Sequence, residues 1–297
     1  MRRTVRCAFP LFGFEPGPLL CAGVNGEATT GVAAGAWERR LRTACDTAAA
    51  RLLAGREGRA HWTGDLSASA LSTATAIIAL SIAEGSAAQH EIERGLRWLS
   101  EHPNDDGGWG DTLLSRSNIS TTALVWAAFG ANREGRTPTG ESWLRQRVEV
   151  ASDAPGEVFF PALTRAILER YGKDRTFSVP ILTACALTGR LGEGRQAWAS
   201  VLPLPFELAA LPHQVFALAR LPVVSYALPA LIAIGQAGHC HRPTRNPFLR
   251  LIRNGLKART LRVLTSIQPT SGGFLEATPL TSFVVIAWPG AVSANIR

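Results

Sequence analysis

Few residues of this sequence are paired in a way that suggests acid–base chemistry, and Asp105 and Asp106 are its only adjacent aspartates. Two carboxylates held close together push their pKa values apart, so that one can stay protonated and act as a proton donor. This pair, however, lies in the run Asn-Asp-Asp-Gly-Gly, whose residue types favour tight turns. We therefore interpret Asp105 and Asp106 as turn residues rather than as an acid pair.

The run His239-Cys240-His241 contains side chains that bind metal ions. A structural zinc site needs four such ligands, and no second cluster of ligands accompanies this run. We interpret the run as a polar loop after an apolar segment and expect no metal site. The sequence also contains no Ser-His-Asp signature and no phosphate-binding glycine loop.

A glycine-rich turn at 104–111 is predicted to hold one large side chain, that of Trp109. Gly107 and Gly108 can adopt backbone angles that a residue with a Cβ resists. A tryptophan on such a turn buries a large apolar area, so we predict that Trp109 is a packing anchor. A new helix is expected from about 119 to 129.

Similar units occur near both ends of the chain. In each copy an apolar helix end lies about ten residues before an aromatic residue, which is Trp62 in the first copy and Phe274 in the last. A helix rich in Ser and Thr follows. Units repeated in this way predict an array of helix pairs. The predicted structural residues of the turns are Gly107, Gly108, Trp109, Gln268, Gly272 and Gly273.

The apolar patterns predict two kinds of helix. Segment 90–100 is amphipathic, whereas segments 67–84 and 119–129 are apolar or hydroxylated all round, as expected of buried helices. Amphipathic helices outside and apolar helices inside make an α/α barrel, and no long strand-like alternation occurs. The predicted fold class is therefore all-α, an α/α (toroid) barrel of paired helices. Further helices are expected at 36–54, 160–172 and 178–188.

The predicted barrel domain covers 36–286. Residues 1–35 are expected to form an irregular extension, and 287–297 an irregular tail, because Trp288-Pro289-Gly290 breaks the helical pattern. Residues 221–241 carry no Asp, Glu, Lys or Arg. We favour a buried inner helix there, because Pro222 and Pro229 interrupt it. A surface-inserted segment and a membrane span are the alternatives.

The composition limits which binding partners and which cellular compartment fit this protein. The net charge of +8 comes from scattered basic residues, without the aromatic-interleaved basic stripe of a nucleic-acid binder. An anionic membrane surface or simple solubility explains the charge as well. The five cysteines form no Cys-x-x-Cys pair, which favours free thiols, and Cys45 and Cys185 are expected to be buried. We expect a cytoplasmic protein, with a peripheral location at the membrane face as an option.

In these turns the sequence resembles the squalene–hopene cyclase and oxidosqualene cyclase family, over roughly 37–286. In that family a Gln, a short spacer, Gly and Trp tie the outer helices together. Here Gln268 keeps the Gln, His102-Pro103 replaces it in the middle copy, and Phe274 replaces the Trp. The similar stretches are 59–67, 104–112, 202–208, 221–236 and 272–276.

The resemblance implies cyclising isomerisation of an acyclic polyprene such as squalene, without a metal or organic cofactor. Family members protonate an alkene with an Asp-x-Asp-Asp motif, which this sequence lacks, as it lacks Asp-Asp-x-x-Asp. The chain is therefore expected to be the N-terminal half of a truncated or split cyclase, inactive without a separate catalytic half. A non-catalytic remnant or binding module is the alternative.

The resemblance also implies three substrate-cavity residues: Trp62, Phe274 and Glu276. For Glu276 a second interpretation is favoured, namely a carboxylate at a helix N-terminus that faces the helix dipole. No catalytic residue is assigned in this sequence.

Overall fold

The structure is a computed structural model, and it describes residues 31–63, 66–83, 85–131, 138–211 and 227–293. These residues are helical, without a β-strand in the ranges just given. Short 3-10 helices occur at Gly85–Ala88 and Phe206–Ala210. The α-helices are α1 (Gly31–Ala54), α2 (Ala70–Ala83), α3 (Gln89–Glu101), α4 (Ile119–Ala131), α5 (Pro138–Arg147), α6 (Gly156–Tyr171), α7 (Arg175–Leu187), α8 (Gly194–Ala197), α9 (Leu228–His241), α10 (Pro247–Ser266) and α11 (Thr278–Ser293).

The chain divides into two compact units, Met1–Asp65 and Leu66–Arg297. In the first unit, α1 leads into a turn that carries Trp62. The indole N–H of Trp62 donates a hydrogen bond to the backbone carbonyl of Leu52. Helix α1 starts at Gly31, earlier than the predicted residue 36. Cys45 is exposed on this helix. The expectation that Cys45 is buried was therefore wrong.

The second unit contains a closed ring of inner helices. Helix α2 packs against α4, α4 against α7, α7 against α9, α9 against α11, and α11 returns to α2. Outside this ring, α3 packs on α2, α5 on α4, α6 on α7 and α10 on α9. The arrangement confirms the predicted all-α class and the alternation of inner and outer helices.

Burial explains which helices are inside. Every residue of α4 from Ile119 to Ala128 is buried, so this helix has no polar face to turn toward water. By contrast, α3 buries only Ile92, Leu96 and Leu99. Its charged residues point outward. Removing each of these aliphatic side chains from water contributes about 1.5–3 kcal/mol to folding, which fixes the side of α3 that meets the ring.

Helix α9 shows that residues 228–241 form a buried inner helix, as favoured from the sequence; residues 221–226 lie outside the described ranges. The expected polar loop at His239-Cys240-His241 was wrong, because these residues form the last turn of α9. Hydrogen bonds to groups of α10 allow polar side chains of α9 to be buried within the helix. The Gln236 side-chain amide donates to the carbonyl oxygen of Lys257 (3.1 Å) and to Thr260 Oγ1 (2.7 Å).

Helix α11 continues to Ser293, beyond the predicted boundary at 286. The helix passes Pro289 because Val284, Ile286 and Ala287 are buried in the core just before it, so packing outweighs the breaking tendency of the Pro-Gly pair.

In the described part of the chain, none of the helices has both the length and the apolar character required to cross a bilayer.

Candidate functional site

The turn after α3 is built around Trp109, which is 1% exposed. Its indole N–H donates to the carbonyl oxygen of Leu99 (3.0 Å), ten residues earlier on α3. Its backbone N–H donates to Thr122 Oγ1 (3.0 Å) on α4. One residue thus ties the end of an outer helix to the start of the next inner helix. A role of Trp109 as a packing anchor, predicted from the sequence, is consistent with this burial and these two hydrogen bonds.

Glycine is required in this turn for two different reasons. Gly107 has φ of +80°, a conformation that side chains with a Cβ rarely adopt. A Cβ on Gly108 would lie 2.8 Å from the Cβ of Ser117, and one on Gly110 would lie 2.2 Å from the Ser115 carbonyl oxygen. Sequence reasoning assigned roles to Gly107 and Gly108 but overlooked Gly110, whose constraint comes from the return of the chain at Ser115.

The last copy of the unit has the same design with Phe274 in place of Trp. Gly272, two residues before the ring, has φ of +84°. The backbone N–H of Phe274 donates to Thr281 Oγ1 (2.9 Å) on α11, as Trp109 does to Thr122. The Gln268 amide donates to the Gly272 carbonyl oxygen (3.0 Å). The turn is therefore closed by backbone and side-chain hydrogen bonds that do not need an indole.

Asp106 stabilises the middle turn as an anion. Its carboxylate accepts hydrogen bonds from Ser117 Oγ (2.6 Å), from the Trp143 indole N–H (3.0 Å) and from the Gly108 N–H (3.1 Å). These donors lower the pKa of Asp106 from its ordinary value, the bond from Ser117 most of all. A proton donor would need a raised pKa, so the geometry supports the interpretation of Asp106 as a turn residue.

A polar cleft of about 1030 Å³ lies beside this turn. It is an open surface depression that reaches Asn104, Asp106, Trp143 and Arg147. The Asn104 amide is already bonded to the Ser115 carbonyl oxygen (3.1 Å) and to Ser117 Oγ (2.9 Å). Because these polar groups bond to one another, we regard the cleft as the outer surface of the turn.

The three predicted cavity residues lie in different surroundings. Trp62 belongs to the first unit and is 49% exposed. Phe274 is buried in the second unit and lines a cavity of about 280 Å³ with Leu264 and Trp288. Glu276 is exposed, and its carboxylate accepts a hydrogen bond from Ser271 Oγ (2.7 Å). A substrate role for these three residues stays a prediction.

A larger apolar cavity of about 410 Å³ opens near the N-terminal ends of inner helices. Such a volume falls in the range of roughly 300–1,000 Å³ that is typical of small-molecule sites. Among the described residues that line it, Arg175 alone carries a charge. The lining consists of Leu71, Arg175, Thr176, Phe177, Pro180, Leu204, Ala227, Ala230, Leu231, Ile234, Leu275, Ala277, Pro279, Leu280 and Phe283.

Sequence reasoning missed this cavity and Arg175. Its walls come from α2, α7, α9 and α11 and from the turn after Phe274, which are far apart in the chain. No local spacing reveals such a set. The one available signal is the Asp174-Arg175 pair, in which Asp174 caps α7 by accepting the N–H of Thr176 (2.8 Å) and leaves Arg175 as the first helical residue.

The histidines at the end of α9 face protein groups. His239 Nε2 lies 2.9 Å from Asn254 Oδ1, and the His241 ring stacks on Trp198 with centroids 4.4 Å apart. Burial lowers the pKa of both imidazoles, so each favours the neutral form. Over the described ranges, no group of three His, Cys, Asp or Glu side chains could hold a metal ion.

The sequence profile of a family described as the squalene-hopene cyclase N-terminal domain matches residues 45–227. This range includes the turns of Trp62 and Trp109 and all of α2 to α7. No curated protein and no solved structure matches the chain significantly.

Proposed function

Because the chain belongs to the squalene-hopene cyclase family, in its N-terminal portion, we propose that it supplies the N-terminal helical part of a triterpene cyclase. Such an enzyme folds an acyclic polyprene, for example squalene, in an apolar chamber and isomerises it to a polycyclic product. The observation that carries the proposal is the family match over residues 45–227, which includes α2 to α7, together with the buried Trp109 turn.

The chemistry needs an acid strong enough to protonate an alkene, and the carbocations that follow must be kept from water. Aromatic faces stabilise cations, and Phe177 and Phe283 line the apolar cavity. The acid is the missing part. The sequence contains no Asp-x-Asp-Asp, and the hydrogen bonds to Asp106 favour its ionised form. We therefore propose that the acid is carried by a separate catalytic half.

The test is an incubation of the purified chain with squalene, alone and together with any co-encoded second half, followed by mass spectrometry of the lipid extract. We expect cyclised product only when both parts are present. Product from the chain alone would contradict the proposed absence of a proton donor.

A second candidate is a non-catalytic binding module that keeps the helical ring and its apolar cavity. It is favoured by the absence of the acid motif together with a cavity lined almost wholly by apolar residues. Binding of squalene without cyclisation, even in the presence of a second half, would favour this candidate.

We propose a cytoplasmic location with peripheral contact to the membrane, from which a water-insoluble polyprene would be drawn. The net charge of +8 supports attraction to anionic lipid. Co-flotation with vesicles that contain phosphatidylglycerol, but not with vesicles of phosphatidylcholine alone, is the expected result.

A further inference from the structure

The apolar cavity at the ends of the inner helices has a cation at its rim. Arg175 is exposed and lines the same cavity as Leu231, Leu280 and Phe283. It forms no ion pair with any residue that the structure describes. The neighbouring carboxylate of Asp174 instead accepts the Thr176 N–H (2.8 Å).

The helix ends around the cavity add to its positive potential. Helices α7, α9 and α11 begin beside it, and the N-terminus of a helix carries a partial positive charge. Of the described residues that line the cavity, none is acidic. An uncharged hydrocarbon would make use of the apolar walls but would leave the guanidinium of Arg175 without a partner.

We propose that this cavity binds a single-chain amphiphile, with its hydrocarbon chain between the inner helices and its anionic head group on Arg175. The head group is a carboxylate or a phosphate, since both match the planar donors of a guanidinium. The binding is independent of the proposed cyclase activity, and it assigns the cavity a ligand class with a charge that squalene does not have.

The test uses the full-length purified chain and three probes that share a sixteen-carbon chain: hexadecanoate, hexadecyl phosphate and hexadecanol. Affinity is measured by displacement of a fluorescent fatty acid below the critical micelle concentrations of the probes. We expect saturable binding of at least one anionic probe, about tenfold tighter than hexadecanol, as for one hydrogen bond to a charged group. Preference for either anionic head supports the proposal and identifies the head group of the natural ligand.

Two variants locate the site. Arg175→Gln should weaken the anionic probe about tenfold, to the level of hexadecanol. Arg170→Gln, which removes an exposed arginine from the end of α6 outside the cavity, should change nothing. Leu231→Trp, which fills the cavity from α9, should weaken all three probes. Circular dichroism and the thermal midpoint check that each variant is folded.

Equal binding of hexadecanol and the anionic probes would overturn the proposal, and so would anionic binding that is unchanged in Arg175→Gln or in Leu231→Trp. The readout is direct binding, so a failure here leaves the cyclase proposal standing. A failed cyclisation assay likewise leaves this one standing.

Discussion

Replacing Trp109 by alanine is expected to destabilise the second unit strongly. The side chain is 1% exposed, and truncating a large buried aromatic to alanine costs about 3–5 kcal/mol through lost burial and the cavity left behind. The Leu99 carbonyl oxygen also loses the indole N–H that is 3.0 Å away. For a domain of this size, a loss of about 4 kcal/mol corresponds to a fall of roughly 8–16 °C in the thermal midpoint.

Two further variants separate the causes. Trp109→Phe keeps a ring and removes the N–H donor, so it should cost about 0.5–1.5 kcal/mol, the net contribution of one hydrogen bond, because the Leu99 carbonyl oxygen still accepts the His102 N–H (3.4 Å). Trp37→Ala, at a side chain that is 63% exposed, is the control and should cost less than about 0.5 kcal/mol.

The measurement is urea unfolding followed by near-ultraviolet circular dichroism, with thermal unfolding as a second probe. Coincident transitions by both probes are required before free energies are compared, since a chain with two units need not unfold in one step. If the curves of Trp109→Ala and the unaltered chain superimpose, the turn does not anchor the core and our account of the repeat is wrong.

Three further predictions concern the turn and the end of α9. Gly110→Ala should lower the free energy of unfolding by about 1–3 kcal/mol, because its Cβ would lie 2.2 Å from the Ser115 carbonyl oxygen. A Cβ on Gly255 meets open space, so the control Gly255→Ala should stabilise the chain. Equal effects of the two variants in urea unfolding would contradict this. Asp106→Asn should lower the unfolding midpoint above about pH 4, and the difference should shrink as the pH falls, because the pKa of Asp106 is lowered in the folded chain; a gap that is constant from pH 7 to 3 would refute it. Burial lowers the pKa of His241, so the unfolded chain binds more protons than the folded chain below about pH 6.5, and the stability decreases as the pH decreases. His241→Phe should flatten this dependence in thermal unfolding from pH 7 to 5.

The helices and the turns could be predicted because their signals are local. The amphipathic pattern of α3 and the apolar pattern of α4 give both the helix type and its side of the ring. The Gly-Gly pair before Trp109 marks the turn. The hydrogen bond that closes the turn joins the Trp109 indole N–H to the carbonyl oxygen of Leu99, ten residues earlier in the sequence. Each of these features involves residues within about one turn or loop of one another.

What the sequence could not reveal depends on contacts between distant segments. His239 is a polar residue, and the sequence therefore favoured a loop there. In the structure it lies in α9, where its Nε2 is 2.9 Å from Oδ1 of Asn254 on α10. Helix α11 passes Pro289 because its preceding residues are packed in the core. Cys45 has apolar neighbours in sequence, yet it is exposed, because α1 is exposed on all sides over residues 36–54.

The contact between α2 and α11 has a kinetic consequence. It joins segments that lie roughly 200 residues apart in the chain, whereas the other neighbours in the ring are closer in sequence. Loop-closure entropy makes such a distant pairing slow to form. We therefore expect an open horseshoe of hairpins to assemble first, with the last helix docking onto α2 as the late step that seals it.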